Sequence, residues 1–297
     1  MARSVMITGA SGDVGVAAAV RLARGGFDVF ATVRSQEKAE KLRAVAAEHE
    51  VRVRTMVLDV TDAQSCTTAL AAIARQTDGG PWGLVNNAGI ITAGAIEDVP
   101  EETARLLWET NVVAPARLAR LVLPAMRRRG DGRIVNVSSI AGRSVFPALG
   151  WYSASKAALS SVNHALRMET SDSGVRVVLV EPSGHGRAMV EHAAQALQAL
   201  PTANTSVHRA SYRAAAQAMH CAPPLPGADA IARAVARALT SRRPHARYLV
   251  GAQARCAAFS EPVLPSFLVD RVKEVASMGR STNRMLEYLV RRWCTPW

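Results

Sequence analysis

Tyr152 and Lys156 stand four residues apart in a segment reading Trp-Tyr-Ser-Ala-Ser-Lys. Four residues is about one helical turn, so a phenol and an ammonium project from one face. A cation beside a phenol stabilises the phenolate, and the spacing therefore predicts a tyrosine with a lowered pKa, able to exchange protons near neutrality. The plain reading of such a pair is a half-buried ring beside a solvated amine, and the surrounding sequence has to decide between the two.

A second chemical signal lies at the start of the chain. Thr8-Gly9-Ala10-Ser11-Gly12-Asp13-Val14-Gly15 follows an apolar run and precedes an amphipathic stretch. Glycines at a strand-to-helix turn let the backbone approach a pyrophosphate, and the helix N-terminus adds free N–H groups and the positive end of a dipole. A purely structural tight turn is the alternative. The next apolar run ends Val33-Arg34-Ser35, with no acid before Glu37. A site that prefers NAD places a carboxylate there for the ribose hydroxyls, whereas an arginine suits a 2′-phosphate. The expected cofactor is NADPH rather than NADH. Leu58-Asp59-Val60 and Asn86-Asn87-Ala88-Gly89 end further apolar runs, where ligands of open α/β sheets bind.

These residues need a scaffold. Short runs rich in Val and Ile at 4–8, 28–33, 51–58, 82–86, 133–137, 175–180 and 248–250 read as buried parallel strands. Amphipathic stretches at 14–24, 37–48, 62–76, 100–129, 151–173 and 228–240 read as helices, the fourth bent or interrupted at Pro115 and Pro124. The alternation implies an α/β fold, a doubly wound Rossmann-type parallel sheet of about seven strands with helices on both faces. Residues 1–251 form the dinucleotide-binding and catalytic domain. Within it, 185–226 is a long excursion of the kind that forms a substrate lid. Residues 252–297 read as a helical C-terminal extension that could cover the pocket, make a subunit contact or lie on a membrane surface.

Composition narrows the classes. Aromatic residues make up only 5%, so the core must be built from Ala, Val and Leu. The net charge of +12 invites a nucleic-acid reading, but the basic residues are scattered along helices with no recognisable binding module. Cys66, Cys221, Cys256 and Cys294 form no metal-ligand spacing, so no metal is expected and the thiols read as reduced in a cytoplasmic protein. No apolar run approaches the roughly 20 residues of a membrane span.

Together the motifs resemble the short-chain dehydrogenase/reductase family, in its single-domain branch, over residues 3–250. The resemblance rests on the 8–15 turn, Asp59, Asn87-Ala88-Gly89, Asn111 in Glu-Thr-Asn-Val-Val, the run from Arg133 to Ser139, and Tyr152 with Lys156. It implies a catalytic set of Asn111, Ser139, Tyr152 and Lys156. Family spacing selects Ser139, thirteen before Tyr152, over Ser138, which would support the backbone. It implies that Tyr152 exchanges the proton, Ser139 holds the substrate oxygen, Lys156 bonds the nicotinamide ribose, and Asn111 helps hold a water that links Lys156 to solvent. Gly9, Ser11, Gly12, Asp13, Val14, Gly15, Arg34, Asp59, Val60, Asn87, Ala88, Gly89, Tyr152, Lys156, Pro182 and Gly184 are the expected cofactor contacts. Ser139, Ile140, Phe146, Tyr152 and His185 are the expected substrate contacts. The implied activity is ketone–alcohol interconversion on a small but bulky hydrophobic substrate such as a polyketide, terpenoid or steroid, in a homodimer or homotetramer.

Two departures keep other readings open. Asp13 takes the place of the branch's middle glycine, and Gly12 gives the spacing of sugar-nucleotide epimerases. Glu181-Pro182-Ser183-Gly184-His185-Gly186-Arg187 replaces the family's Pro-Gly…Thr, so the carboxamide would rest on backbone groups around 184–188. An epimerase- or dehydratase-like enzyme and a non-catalytic NADP-binding regulatory protein are the alternatives.

Overall fold

The computed structural model describes residues 2–184, 186–220, 226–260 and 264–277. Seven parallel strands form one sheet in the order β3-β2-β1-β4-β5-β6-β7. They are β1 (Ser4–Ile7), β2 (Asp28–Val33), β3 (Arg54–Val57), β4 (Gly83–Asn86), β5 (Gly132–Val137), β6 (Val175–Pro182) and β7 (Arg247–Val250). Helices alternate with them: α1 (Asp13–Arg24), α2 (Gln36–Glu48), α3 (Ala63–Ala74), α4 (Glu101–Trp108), α5 (Ala114–Arg129) and α6 (Gly150–Glu169). After β6 come α7 (Gly186–Gln198), α8 (Arg209–His220) and α9 (Ala228–Thr240), and after β7 come α10 (Ala252–Ser260) and α11 (Ser266–Ser277).

The strands are apolar on both sides because both faces are covered. On one face Val5, Ile7, Val29 and Ala31 meet α1, α2 and α9 through Leu22, Leu42 and Val235. On the other, Met6, Phe30, Leu84 and Ile134 meet α3 and α5 through Ile73, Leu118 and Met126. The reversal of strand order between β1 and β4 puts the glycine turn and the 87–89 segment side by side at the carboxyl edge, where such sheets bind ligands.

Two expectations need correction. The third strand is shorter than 51–58, because β3 is an edge strand and its first residues run outside the ladder. The 100–129 helix is interrupted ahead of Pro115 but runs unbroken through Pro124. Its irregularity is a π turn over Glu109–Val113, just ahead of Pro115, while Pro124 stays inside α5. Proline has no N–H, so Pro115 removes the ordinary helical donor to the carbonyl of Asn111, and a wider turn absorbs the loss. The 185–226 excursion is mostly helical, as α7 and α8. His185, Cys221, Pro223, Pro224, Pro262 and Cys294 lie outside the described residues.

Candidate active site

The glycine turn owes its shape to two of its three glycines. Gly9 has φ +64°, and a Cβ there would stand 2.7 Å from the Ala88 Cα. A Cβ on Gly15 would stand 2.4 Å from the Gly9 carbonyl oxygen. Gly12, the N-cap of α1, would meet nothing nearer than 3.8 Å and receives no side-chain cap. Its surroundings are open, with exposed Ser11 and Asp13 beside it. Asp13 occupies the first turn of α1, a place where a carboxylate favours the helix dipole. Asn87 joins this turn to β4: its Nδ2 donates to the Thr8 and Gly9 carbonyls at 3.0 and 3.1 Å. The Thr8 hydroxyl accepts from the N–H groups of Asn87 and Ala88.

Arg34 is exposed at the end of β2 and has no ion pair among the described residues. Ser35 caps α2, accepting from the Lys38 N–H at 3.3 Å. Asp59 lies across from Arg34. Its carboxyl accepts from the Thr61 hydroxyl and N–H at 2.7 and 2.9 Å, which hold it below the ordinary carboxylate range. The Gly12 cradle, a cation at 34 and an acid at 59 fit a dinucleotide laid across the carboxyl edge of β1, β2 and β3.

The residues expected to transfer the proton meet next to that edge. Tyr152 and Lys156 share a face of α6 and are 8% and 5% exposed. The Lys156 Nζ donates to the Val137 carbonyl at 3.3 Å and stands 5.8 Å from the Tyr152 ring centroid. The Ser139 hydroxyl accepts from the Ala141 N–H at 3.1 Å, capping a short 3-10 turn (Ile140–Gly142), and lies near enough to Tyr152 to favour its phenolate. Ser138 turns the other way: its hydroxyl and that of Ser160 donate to the Lys156 carbonyl at 3.2 and 2.9 Å, tying β5 to α6.

The electrostatics reverse one expectation. The spacing predicts a Tyr152 pKa lowered by Lys156, yet burial pushes the phenol up, with Ser139 pulling weakly the other way. Burial also lowers the Lys156 ammonium to about 8. A phenol kept protonated is the form that can give a proton, and an amine near 8 changes charge close to physiological pH. The expected kcat/KM for ketone reduction is flat below about pH 8 and falls tenfold per unit above it, as Lys156 deprotonates. A profile that rises through pH 8 would contradict that assignment of the titrating group.

Asn111 lies in the π turn and its side chain is fully engaged. Its Oδ1 accepts from the Ile90 N–H at 2.9 Å, and its Nδ2 donates to the Ile90 carbonyl at 2.9 Å and the Ser155 hydroxyl at 3.1 Å. Gly89 is crowded by this group, since a Cβ there would stand 3.2 Å from Asn111 Oδ1 and 3.4 Å from Lys156 Nζ. Pro182 pairs with Val250 in the sheet, and Gly184 has φ +142°. Ile140 is buried within the 3-10 turn, whereas Phe146 is exposed with the Lys273 ammonium 5.4 Å from its ring centroid.

Three features had no local signal. Glu181, fully buried at the end of β6, pairs with Arg143 at 3.0 Å and Arg247 at 3.2 Å. Asn86, Asn136 and Asn163 form a buried ladder, at 2.8 and 2.9 Å, between β4, β5 and α6. Asp98, before α4, receives the Ser206 hydroxyl at 2.5 Å and the Tyr212 hydroxyl, which hold its carboxyl below the ordinary range. Those bonds fasten α8 to the β4–α4 connection above an apolar cluster of Ala93, Val99, Leu197, Leu200 and Tyr212, which Trp151 and Leu149 flank. In each case the partners lie 27 to 114 residues apart, beyond any motif.

Comparison with known proteins agrees with this geometry. An uncharacterized oxidoreductase of Bacillus subtilis, YusZ, is 40% identical over 207 residues, covering 69% of this chain and 72% of that one. The 17-beta-hydroxysteroid dehydrogenase type 6 of Rattus norvegicus is 30% identical over 280 residues, covering 90% and 86%. Among solved structures, NAD+-bound xylitol dehydrogenase superposes with a TM-score of 0.70 at 25% identity, covering 80% of this chain and 92% of that one. A single-substitution variant of actinorhodin polyketide ketoreductase with NADPH gives 0.70 at 25% identity, covering 84% and 95%. Residues 3–198 match the family described as short chain dehydrogenase, and with the strand order and the relatives this places the chain in the short-chain dehydrogenase/reductase family of oxidoreductases acting on alcohols and ketones.

Proposed function

We propose that the protein is an NADPH-dependent ketoreductase that interconverts a ketone and a secondary alcohol on a bulky hydrophobic substrate. The observation that carries this reading is the buried cluster of Ser139, Tyr152 and Lys156 beside the glycine turn. The dinucleotide, when bound, supplies or accepts the hydride. Tyr152 gives its proton to the substrate oxygen, and the hydroxyl of Ser139, its acceptor side engaged by Ala141, donates to that oxygen as charge develops. Lys156 holds a positive charge under the phenol, and the proton that Tyr152 gives up is replaced from solvent by way of Lys156, which is charged again at the end of the cycle. Asn111 fixes the β4 end against α6, so the acid residue stays in place.

The fully buried Leu107 behind Tyr152 and the apolar cluster under α7 and α8 support a hydrophobic substrate. Exposed Leu106, Val113 and Met168 support assembly of two or four copies through the α4–α5 and α6 faces. Among the described residues no helix is long and apolar enough to cross a membrane.

The preference for NADPH rests on Arg34. In a side-by-side assay the wild type is expected to favour NADPH over NADH at least about tenfold in kcat/KM. Arg34→Asp is expected to reverse the order, because a carboxylate repels a 2′-phosphate and holds ribose hydroxyls. Equal use of both cofactors by the wild type would remove the support for the NADP reading. A panel of bulky ketones with NADPH, fused-ring ketones among them, tests the activity itself by cofactor depletion.

A further inference from the structure

Arg117, on α5, touches none of the proton-transfer residues, yet it spans two parts of the site. Its side chain is 15% exposed. Its Nη1 donates to the Val60 carbonyl at 2.8 Å, and its Nη2 pairs with Glu109 Oε1 at 2.5 Å. Val60 belongs to the turn expected above to contact the cofactor, and Arg34 across from Asp59, read as the partner of a 2′-phosphate, puts the adenosine end there; the Cys66 thiol approaches the same carbonyl at 3.5 Å. Glu109 opens the π turn. Two residues on, Asn111 donates to the Ser155 hydroxyl at 3.1 Å, and that hydroxyl donates to the Tyr152 carbonyl at 2.7 Å. The path from the adenosine turn to the backbone of the acid residue thus runs through one guanidinium, one π turn and two side-chain hydrogen bonds.

We propose that Arg117 is a positioning residue that couples occupation of the adenosine subsite to the placement of Tyr152; the proposal rests on the dinucleotide reading of the Asp59–Val60 turn. The guanidinium fork is planar and rigid, so a shift of the Val60 carbonyl is passed to Glu109 rather than absorbed, as a flexible ammonium would allow. The π turn is the irregular element of that path, set between two regular helices, and single π turns inside helices occur frequently at functional sites. Cofactor binding at one end then sets the geometry of the acid at the other before substrate arrives. A brace that only stabilised α5 would be insensitive to ligand.

The test uses the full chain and adenosine 2′,5′-bisphosphate as the probe, which reaches the adenosine subsite and leaves the nicotinamide end untouched. Amide hydrogen exchange is followed with and without the probe in the wild type, Arg117→Met, Arg117→Lys and Glu109→Gln. In the wild type, exchange is expected to slow at 59–61 and, about fivefold or more, at 109–113 and 150–158. In Arg117→Met and Glu109→Gln the protection at 59–61 stays while that at the two distant segments disappears, and Arg117→Lys retains part of it. Because each variant is compared with itself, a uniform loss of stability cancels. Distant protection that persists in both Arg117→Met and Glu109→Gln overturns the proposal. So does distant protection that never appears in the wild type while 59–61 is protected. No protection at 9–15 or 59–61 in the wild type overturns the dinucleotide reading, and the coupling with it.

Discussion

Tyr152→Phe is expected to reduce turnover about a thousandfold while NADPH binding stays within about twofold of wild type. The substitution removes one oxygen and leaves the buried ring, so its packing against Leu107 and Ala141 is unchanged. Without the phenol, no other hydroxyl among the described residues combines burial, closeness to Ser139 and a lysine one helical turn away. Serine can still donate to the substrate oxygen, and this accounts for the residual rate expected. The measurement pairs initial rates on the best ketone of the panel with a cofactor titration by fluorescence. A variant that keeps near wild-type kcat would show that the proton comes from elsewhere, and a variant that no longer binds NADPH would show that Tyr152 acts chiefly in cofactor binding.

Glu181→Ala is expected to give a large stability loss, about 3 kcal/mol, seen as a fall in Tm of about 4–6 °C. Its carboxylate is fully buried and holds two guanidinium groups that are each about one-third exposed. Removing it leaves both cations without their buried partner at the end of β6. The partial exposure of the arginines keeps the cost at the low end of what breaking a buried pair entails. Glu181→Gln, which preserves shape and some hydrogen bonding, is expected to lose about half as much. Arg143 follows the turn capped by Ser139, so kcat is expected to fall as well in Glu181→Ala. Thermal melts that match the wild type within about 1–2 °C would show that the network is neutral to folding.

Much of this site was legible in the sequence because its signals are local. A glycine turn between an apolar run and an amphipathic one is read from eight consecutive residues, and Tyr152 and Lys156 share a face through helical period alone. Burial of both faces of a parallel sheet leaves runs of Val and Ile that need no partner to be recognised. The form of the interruption near Pro115 was not legible, because proline rules foretell a disturbance but not that it becomes a π turn over Glu109–Val113. The lost donor of Pro115 falls on a carbonyl four residues earlier, and the helix yields there.

The sequence by itself determined the succession of strands and helices along the chain, the turn that suits a pyrophosphate, and the residue types proposed for proton transfer, since each depends on neighbours a few positions away. Only the tertiary structure decided how those residues are tuned and held. Whether Tyr152 carries a lowered or a raised pKa depends on how much water reaches it, and packing against distant segments excludes that water. The same holds for the Glu181 network and the Asp98 fastening of α8, whose partners meet only after the chain has folded.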